Sequence, residues 1–220
     1  MAPISRQDFE RMLQPYLEVI QSNLDSTQFA HLTHHLNLLL RWNQKLNLTS
    51  VTALPEIVRR HFAESLFVAN LLPIGISTMA DIGSGAGFPG FPIAVLKPSV
   101  QVTLVESVGK KAVFLRELCR GLPNVTVLHS RFERLNVCFD CGVIRGVSAP
   151  HLLPVFAARL KHLALILGRE AADDLSRHKL FDWAKAVPLP WQPDRVVALG
   201  RNADAQRHVI KSTDEPRAAK

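Results

Sequence analysis

Apolar residues recur at two different spacings along the chain, and the change from one to the other divides it. In the first third they fall at helical intervals. Phe9, Met12, Leu13, Tyr16, Leu17 and Ile20 form one stripe. Phe29, Leu32, Leu36, Leu39 and Leu40 form a second, with Ser26 or Thr27 placed to cap its start. Pro55 suits the first turn of a third helix that runs through Ile57, Val58, His61, Phe62 and Leu66. The segment WNQKLNLTSVTALP lies between the second and third helices and reads as an extended, polar surface element.

From about residue 76 short apolar runs alternate with helical ones. The runs predict strands at 78–82, 100–105, 125–129, 140–145, 162–167 and 195–199. Helices are predicted at 90–96, 110–120, 151–160 and 174–185. Strands alternating with helices, and apolar throughout, predict an α/β fold with a mostly parallel sheet covered on both faces. The chain has no internal repeat or low-complexity segment, and after Asn202 it is polar and expected to fray.

Composition narrows the class. Hydrophobic residues make up 47% and charged residues 20% of 220, which excludes wholesale disorder. A body of this size buries a sufficient core without a disulfide or metal staple. Three cysteines are too few for a disulfide framework and fit a reducing cytoplasm. MAPISRQDFE has no apolar signal core, and no apolar run approaches the roughly 20 residues of a membrane span. The expectation is a cytoplasmic protein. Against 19 acidic residues stand 26 basic ones, a formal +7, and that excess favours a polyanionic partner.

The densest chemical signal is MADIGSGAGFPG at 79–90. A strand ends at Ile82, glycines follow at Gly83, Gly85 and Gly87, and Pro89 and Gly90 open a helix. Such a turn lets the backbone approach a ligand at the carboxyl edge of the sheet, where open α/β folds bind cofactors. A dinucleotide fingerprint wants a third glycine where Phe88 stands, and a P-loop wants a terminal G-K-[ST] that is missing. Asp81, two positions before the first glycine, suits a cationic ligand better than a pyrophosphate. S-adenosylmethionine is such a ligand. Glu106, at the end of the next strand, is placed to accept ribose hydroxyls. After the third strand, Phe132 is placed to lie against an adenine and Glu133 to accept from its exocyclic amine.

Other signals are weaker. Cys138-x-x-Cys141 runs into a strand and has no second pair. His31, His34 and His35 have metal-like spacing but no accompanying ligand, so no metal is expected. His61 and Ser65 sit one helical turn apart, and the better reading is a satisfied interior histidine.

LNLTSVT, RRHFAESL, DIGSGAGFPGFPIAVLKP, TLVESVGKKAVFLREL and FDCGVIRGV, in that order, resemble the bacterial ribosomal RNA small subunit methyltransferase G family, also called glucose-inhibited division protein B. The resemblance spans about residues 40–146. It implies a class I S-adenosylmethionine-dependent methyltransferase (Rossmann-like) fold, with a seven-stranded, mostly parallel sheet and an N-terminal helical extension. Residues 1–60 would be that extension, 61–202 the methyltransferase domain and 203–220 a polar tail. The implied reaction is methylation of N7 of guanine 527 in the 530 loop of 16S rRNA, on the 30S subunit or its precursor, by a monomer. The family's cofactor contacts fall on Gly83, Phe88, Phe132, Glu133 and Arg145, with Glu106 where the family has an acid. The family's S-R-A reads I-R-G here, and its later glycine turn and the lysine before Gly168 are missing.

Guanine N7 carries an in-plane lone pair, so methyl transfer needs alignment and not a general base. No catalytic side chain is therefore assigned. N7 must face the methyl group, which rules out the usual arginine fork on guanine, so Arg145 reads as a cofactor or phosphate anchor. Lys45, Asn47, Arg60, Lys110 and Lys111 are the RNA-binding candidates, with Arg59, Arg116 and Arg120 as further basic groups and Asn43 and Thr49 near a substrate entrance. A small-molecule methyltransferase and a non-catalytic S-adenosylmethionine- or RNA-binding protein of the same fold stay open as alternatives.

Overall fold

The computed structural model describes residues 3–146, 150–175 and 177–204. From residue 205 on, the expected polar tail lies outside the described residues.

The N-terminal helices form where the apolar stripes predict them. Helix α1 (Arg6–Val19) starts at Ser5, whose hydroxyl accepts the Asp8 amide at 3.1 Å. Helix α2 (Ser26–Leu46) is capped one residue earlier than expected. The Asp25 carboxylate accepts the amides of Thr27 and Gln28, and the Gln28 side chain returns a bond to the Asp25 amide. The helix also runs further than expected, taking in Trp42–Leu46 of the anticipated polar stretch, and ends at Asn47 in the left-handed conformation. Pro55 lies in the first turn of α3 (Leu54–Ile57), which passes through a π-helical turn (Val58–Ala63) into α4 (Glu64–Leu71).

The remaining elements are β1 (Thr78–Ile82), α5 (Gly90–Leu96), β2 (Gln101–Glu106), α6 (Gly109–Leu118), β3 (Val125–His129), β4 (Phe139–Arg145), α7 (Leu153–Ala157), β5 (Leu160–Gly168), α8 (Arg169–Leu175), β6 (Phe181–Trp183), β7 (Val187–Leu189) and β8 (Gln192–Asn202). Seven strands lie on one path in the order β3-β2-β1-β4-β5-β8-β6, and β7 pairs with β8 off that path. Strands β1 to β5 pair in parallel; β8 runs antiparallel to its neighbours.

Side chains alternate between two cores. Leu104, Val143, Ala164 and Val197 pack with Phe9, Leu13 and Leu36 of the N-terminal helices. Their neighbours Val105, Ile144, Leu165 and Val196 pack with Phe156 and Leu175 on the other face. The N-terminal helices thus complete one wall of the sheet's own core. Strands β1, β2, β4, β5 and β8 carry such alternating pairs because both of their faces are covered.

One predicted element is corrected. Among the described residues the helix expected over 174–185 is not seen beyond Leu175: α8 is Arg169–Leu175 and Phe181–Trp183 form an edge strand. Trp183 pairs with Gly200 of β8, and a Cβ on Gly200 would sit 2.8 Å from the Trp183 ring and 2.9 Å from Phe181 Cβ. The bare glycine admits both aromatic residues, and ladder pairing overrides the local helical spacing. The helix expected over 151–160 is also shortened, to a 3-10 turn (Pro150–Leu152) followed by α7.

Candidate functional site

The glycine turn follows β1 directly. Gly83, Gly85 and Gly87 have φ of 77°, 55° and 87°, a region that side chains with a Cβ rarely enter. Most of its amides are engaged within the fold. Those of Gly83 and Ser84 donate to the Val105 carbonyl, those of Gly87 and Phe88 to the Ser84 carbonyl, and that of Gly85 to Glu106 Oε2 at 2.8 Å. Gly90, which opens α5, donates to Asp81 Oδ2 at 3.0 Å. A phosphate-binding turn presents free amides to its ligand. Here they are turned inward, and a carboxylate stands at the start of α5 where a pyrophosphate would sit.

Asp81 is fully buried, its Oδ1 has no partner among the described residues, and burial raises its carboxyl to about 7. Glu106 is buried as well. Its Oε1 accepts the Val108 amide at 2.7 Å, so one carboxylate ties the glycine turn to the β2–α6 turn. A carboxylate offers about four acceptor sites, so two remain for ribose hydroxyls.

Beside Glu106 opens a cleft of about 280 Å³ along the carboxyl edge of β1 and β2. Gly83, Val105 and Ser107 line one side, with Phe132 and Glu133 from the 3-10 turn after β3 and Ile144 and Phe156 opposite. The Phe132 ring is buried and Glu133 is exposed. Three of the sequence-predicted positions, Gly83, Phe132 and Glu133, therefore meet in one cavity. The walls are mostly apolar and most of the turn amides are engaged within the fold, which fits an uncharged nucleoside and disfavours a diphosphate.

Gly87, Phe88 and Arg145 are placed elsewhere. A Cβ on Gly87 would sit 3.0 Å from Leu118, so this glycine serves packing between α2 and α6. The Phe88 ring is stacked between two imidazoles, His35 at 4.3 Å and His61 at 4.9 Å between centroids, so both of its faces are covered. Burial lowers both histidines to about 3, and Arg145 adds to the effect at His61. His61 is hydrogen-bonded to Thr49 Oγ1 at 2.8 Å, and its carbonyl accepts from Ser65. His35 Nε2 bonds the Ala86 carbonyl at 2.7 Å and faces the core, away from His31 and His34.

Arg145 emerges on the sheet face opposite Ile144. Its Nη2 lies 3.6 Å from Glu64 Oε2, and Arg195 Nη2 reaches the same oxygen at 3.3 Å. Glu64 and Arg195 carried no sequence signal, since the pairing joins α4 to a strand 131 residues later.

Among the RNA-binding candidates, Lys45 and Asn47 are exposed at the end of α2, and Lys110 is exposed in the first turn of α6. Lys111 and Arg60 are half-buried. Asn43 and Thr49 bond each other through both backbone groups of Thr49, a turn-forming role. Arg59 is held by Glu56 at 2.7 Å. Cys138 is exposed and Cys141 buried, both as free thiols. Among the described residues no group of three His, Cys, Asp or Glu side chains is arranged to hold a metal ion, and no helix is long and apolar enough to cross a membrane.

The profile of the family described as rRNA small subunit methyltransferase G matches residues 28–187. A protein named ribosomal RNA small subunit methyltransferase G from Halorhodospira halophila is 41% identical over 147 residues, covering 66% of this chain and 68% of that protein. One of the same name from Roseiflexus sp. is 46% identical over 167 residues, covering 70% and 71%. The Xylella fastidiosa M23 protein of that name is 48% identical over 115 residues, and the match spans 53% of its length. Among solved structures, the ribosomal protein L11 methylase of Lactobacillus delbrueckii subsp. bulgaricus superposes with a TM-score of 0.54 at 13% identity, over 65% of this chain and 79% of that one. A SAM-dependent methyltransferase from Aquifex aeolicus gives 0.52 at 15%, over 66% and 93%. At these identities the likeness is one of fold.

Proposed function

The chain belongs to the rRNA small subunit methyltransferase G family, and from that premise we propose that it methylates N7 of guanine 527 in the 530 loop of 16S rRNA with S-adenosylmethionine as donor. The observation that carries the reading is the inward turn of the glycine-loop amides over a buried aspartate. A loop built this way takes a donor without phosphates.

When bound, S-adenosylmethionine supplies an electrophilic methyl carbon on sulfur. The chain's own groups bind and orient. Glu106 keeps two acceptor positions for ribose hydroxyls, the Phe132 side of the cleft takes the adenine, and Glu133 accepts from the exocyclic amine. Gly83 faces open space on its Cβ side and leaves the donor's path clear. Guanine N7 is unprotonated at neutral pH, so no general base is required, and rate enhancement comes from in-line alignment and exclusion of water. The target base leaves its stack to reach the cleft, which single-stranded rRNA loops permit.

The formal +7 charge and the exposed Lys45 and Lys110 favour an RNA substrate over a free metabolite. The partner is the 30S subunit or its precursor, and the protein acts as a cytoplasmic monomer. The test is incubation with methyl-labelled donor and either 30S subunits, naked 16S rRNA or a metabolite extract. Label at one guanine is the expected result; label on small molecules alone, or on nothing, refutes the reading.

A further inference from the structure

Glu64 stands at the first turn of α4, fully buried, and two guanidinium groups converge on one of its oxygens. Its other oxygen, Oε1, has no partner among the described residues, nor do Arg195 Nε and Arg60 Nε. Arg59, the next cation along the chain, is neutralised by Glu56. Two arginines, Arg145 and Arg195, therefore share one carboxylate, with Arg60 near enough for its charge to act on both Glu64 and Arg145. Asp81, which also acts on Arg145, is fully buried and raised by burial to about 7, so it offers only partial charge at neutral pH. Burial holds the Arg145 guanidinium below its usual range, and Arg195 and Arg60 press it further down against the pull of Glu64. A half-buried excess of positive charge is costly unless an anion joins it.

The excess sits where an acceptor has to approach. The donor cleft lies on the β1–β2–β3 side of the carboxyl edge, and Ile144 lines it. Arg145, one residue on, points to the opposite face, and Arg195, paired with Gly168 at the end of β5, is at the same edge beyond β4. Side chains of Arg145 and Arg195 stay 15% and 21% exposed, so their outer edges reach solvent.

We propose that Arg145 and Arg195, joined on Glu64, form with the neighbouring Arg60 charge an oxyanion subsite that holds a phosphate of the RNA beside the base being methylated. The inference rests on the rRNA methyltransferase reading above. Glu64 sets the two forks at a common point, and the incoming phosphate takes the donors that Glu64 leaves unused. Such a contact anchors the backbone and leaves the base edge free to turn N7 toward the donor.

The full-length protein is titrated with an RNA hairpin carrying the 530-loop sequence over a range of salt, and separately with S-adenosylmethionine by calorimetry. Arg195→Gln is expected to raise the RNA dissociation constant about tenfold and to flatten its log–log salt dependence by about 0.7, the release expected for one single-stranded phosphate contact. Donor affinity stays within about twofold, and Arg195→Lys, which keeps the charge, keeps the salt slope. In the wild type, inorganic phosphate at constant ionic strength competes with the hairpin, a measurement independent of how any variant folds. An unchanged salt slope in Arg195→Gln, or phosphate that fails to compete, overturns the proposal. So does a loss of donor affinity with RNA binding intact, which assigns the cluster to the donor's carboxylate. Wild-type methylation of rRNA is measured alongside. Its failure rejects the functional reading, whereas its success with an unaltered Arg195→Gln profile rejects this subsite alone.

Discussion

The Gly85 amide donates to Glu106 Oε2 at 2.8 Å, so the glycine turn is closed by the acid that ends the neighbouring strand. With the other oxygen on the Val108 amide, Glu106 holds both loops that frame the donor cleft. Removing it strips a buried charged acceptor from two amides. Glu106→Ala is expected to weaken S-adenosylmethionine binding by about 1–3 kcal/mol, the scale of a lost charge-assisted bond. Calorimetric titration checks this, and an unchanged dissociation constant takes the role away from Glu106.

Gly83 and Gly87 share a positive φ but not their surroundings. A Cβ at Gly83 meets nothing within 4 Å, whereas one at Gly87 meets Leu118 at 3.0 Å and His35 at 3.4 Å. Gly83→Ala is expected to cost about 1–2 kcal/mol of backbone strain, with Gly87→Ala costing more through the added overlap. Urea unfolding of the two variants gives the order; equal losses contradict it.

Phe88 fills the space between His35 and His61, with its edge against Phe62. Phe88→Ala is expected to lower stability by about 3–5 kcal/mol, as for other large core truncations. A purely ligand-contacting ring would leave the unfolding midpoint untouched, so denaturant melts in the absence of donor distinguish the two roles.

Acid stability follows from the same neighbourhood. Buried His35 and His61 titrate near 3 in the folded chain against an ordinary 6.5, because burial disfavours their cations. Below about pH 6.5 the unfolded chain takes up two protons that the native state refuses, so stability falls as pH drops. Asp81 works in the opposite sense. Burial raises it to about 7 from 3.8, so between those values the native state keeps a proton that the unfolded chain releases. For these three groups the balance from pH 6.5 to 3.8 is one proton, a contribution of about 1.4 kcal/mol lost per pH unit. Asp81→Asn removes the offset, and its stability is expected to fall more steeply than the wild type over that window, by about 1.4 kcal/mol per pH unit. Urea melts across pH measure both slopes; parallel slopes reject the assignment.

The strand–helix alternation and most of the strand limits were legible in the order of residues, because strands buried on both faces must be continuously apolar. Ile82, Val105 and Ile144 announce themselves in this way. The glycine turn was legible too, since positive φ at Gly83, Gly85 and Gly87 asks for glycine and little else. Its ligand preference was less legible: Asp81 reads in sequence as the mark of a cationic partner, but the fold buries it against the Gly90 amide, and the inward amides emerged only there.

Where a side chain points was settled by packing. Phe88 stands beside the glycines in sequence, yet its ring is drawn between two histidines, one from α2 and one from the π-helical turn. Residues 174–185 read as a helix, yet Phe181 and Trp183, two apart, share one face of an edge strand that the bare Gly200 across the sheet admits. Glu64 and Arg195 meet at 3.3 Å although they stand 131 positions apart in the chain. Local propensity acts over a few residues, whereas such contacts depend on which surfaces the sheet order brings together. The chain's pattern therefore specified its elements and the kind of cofactor they suit, and the folded arrangement assigned each charged or aromatic group to the cleft, the core or the arginine cluster.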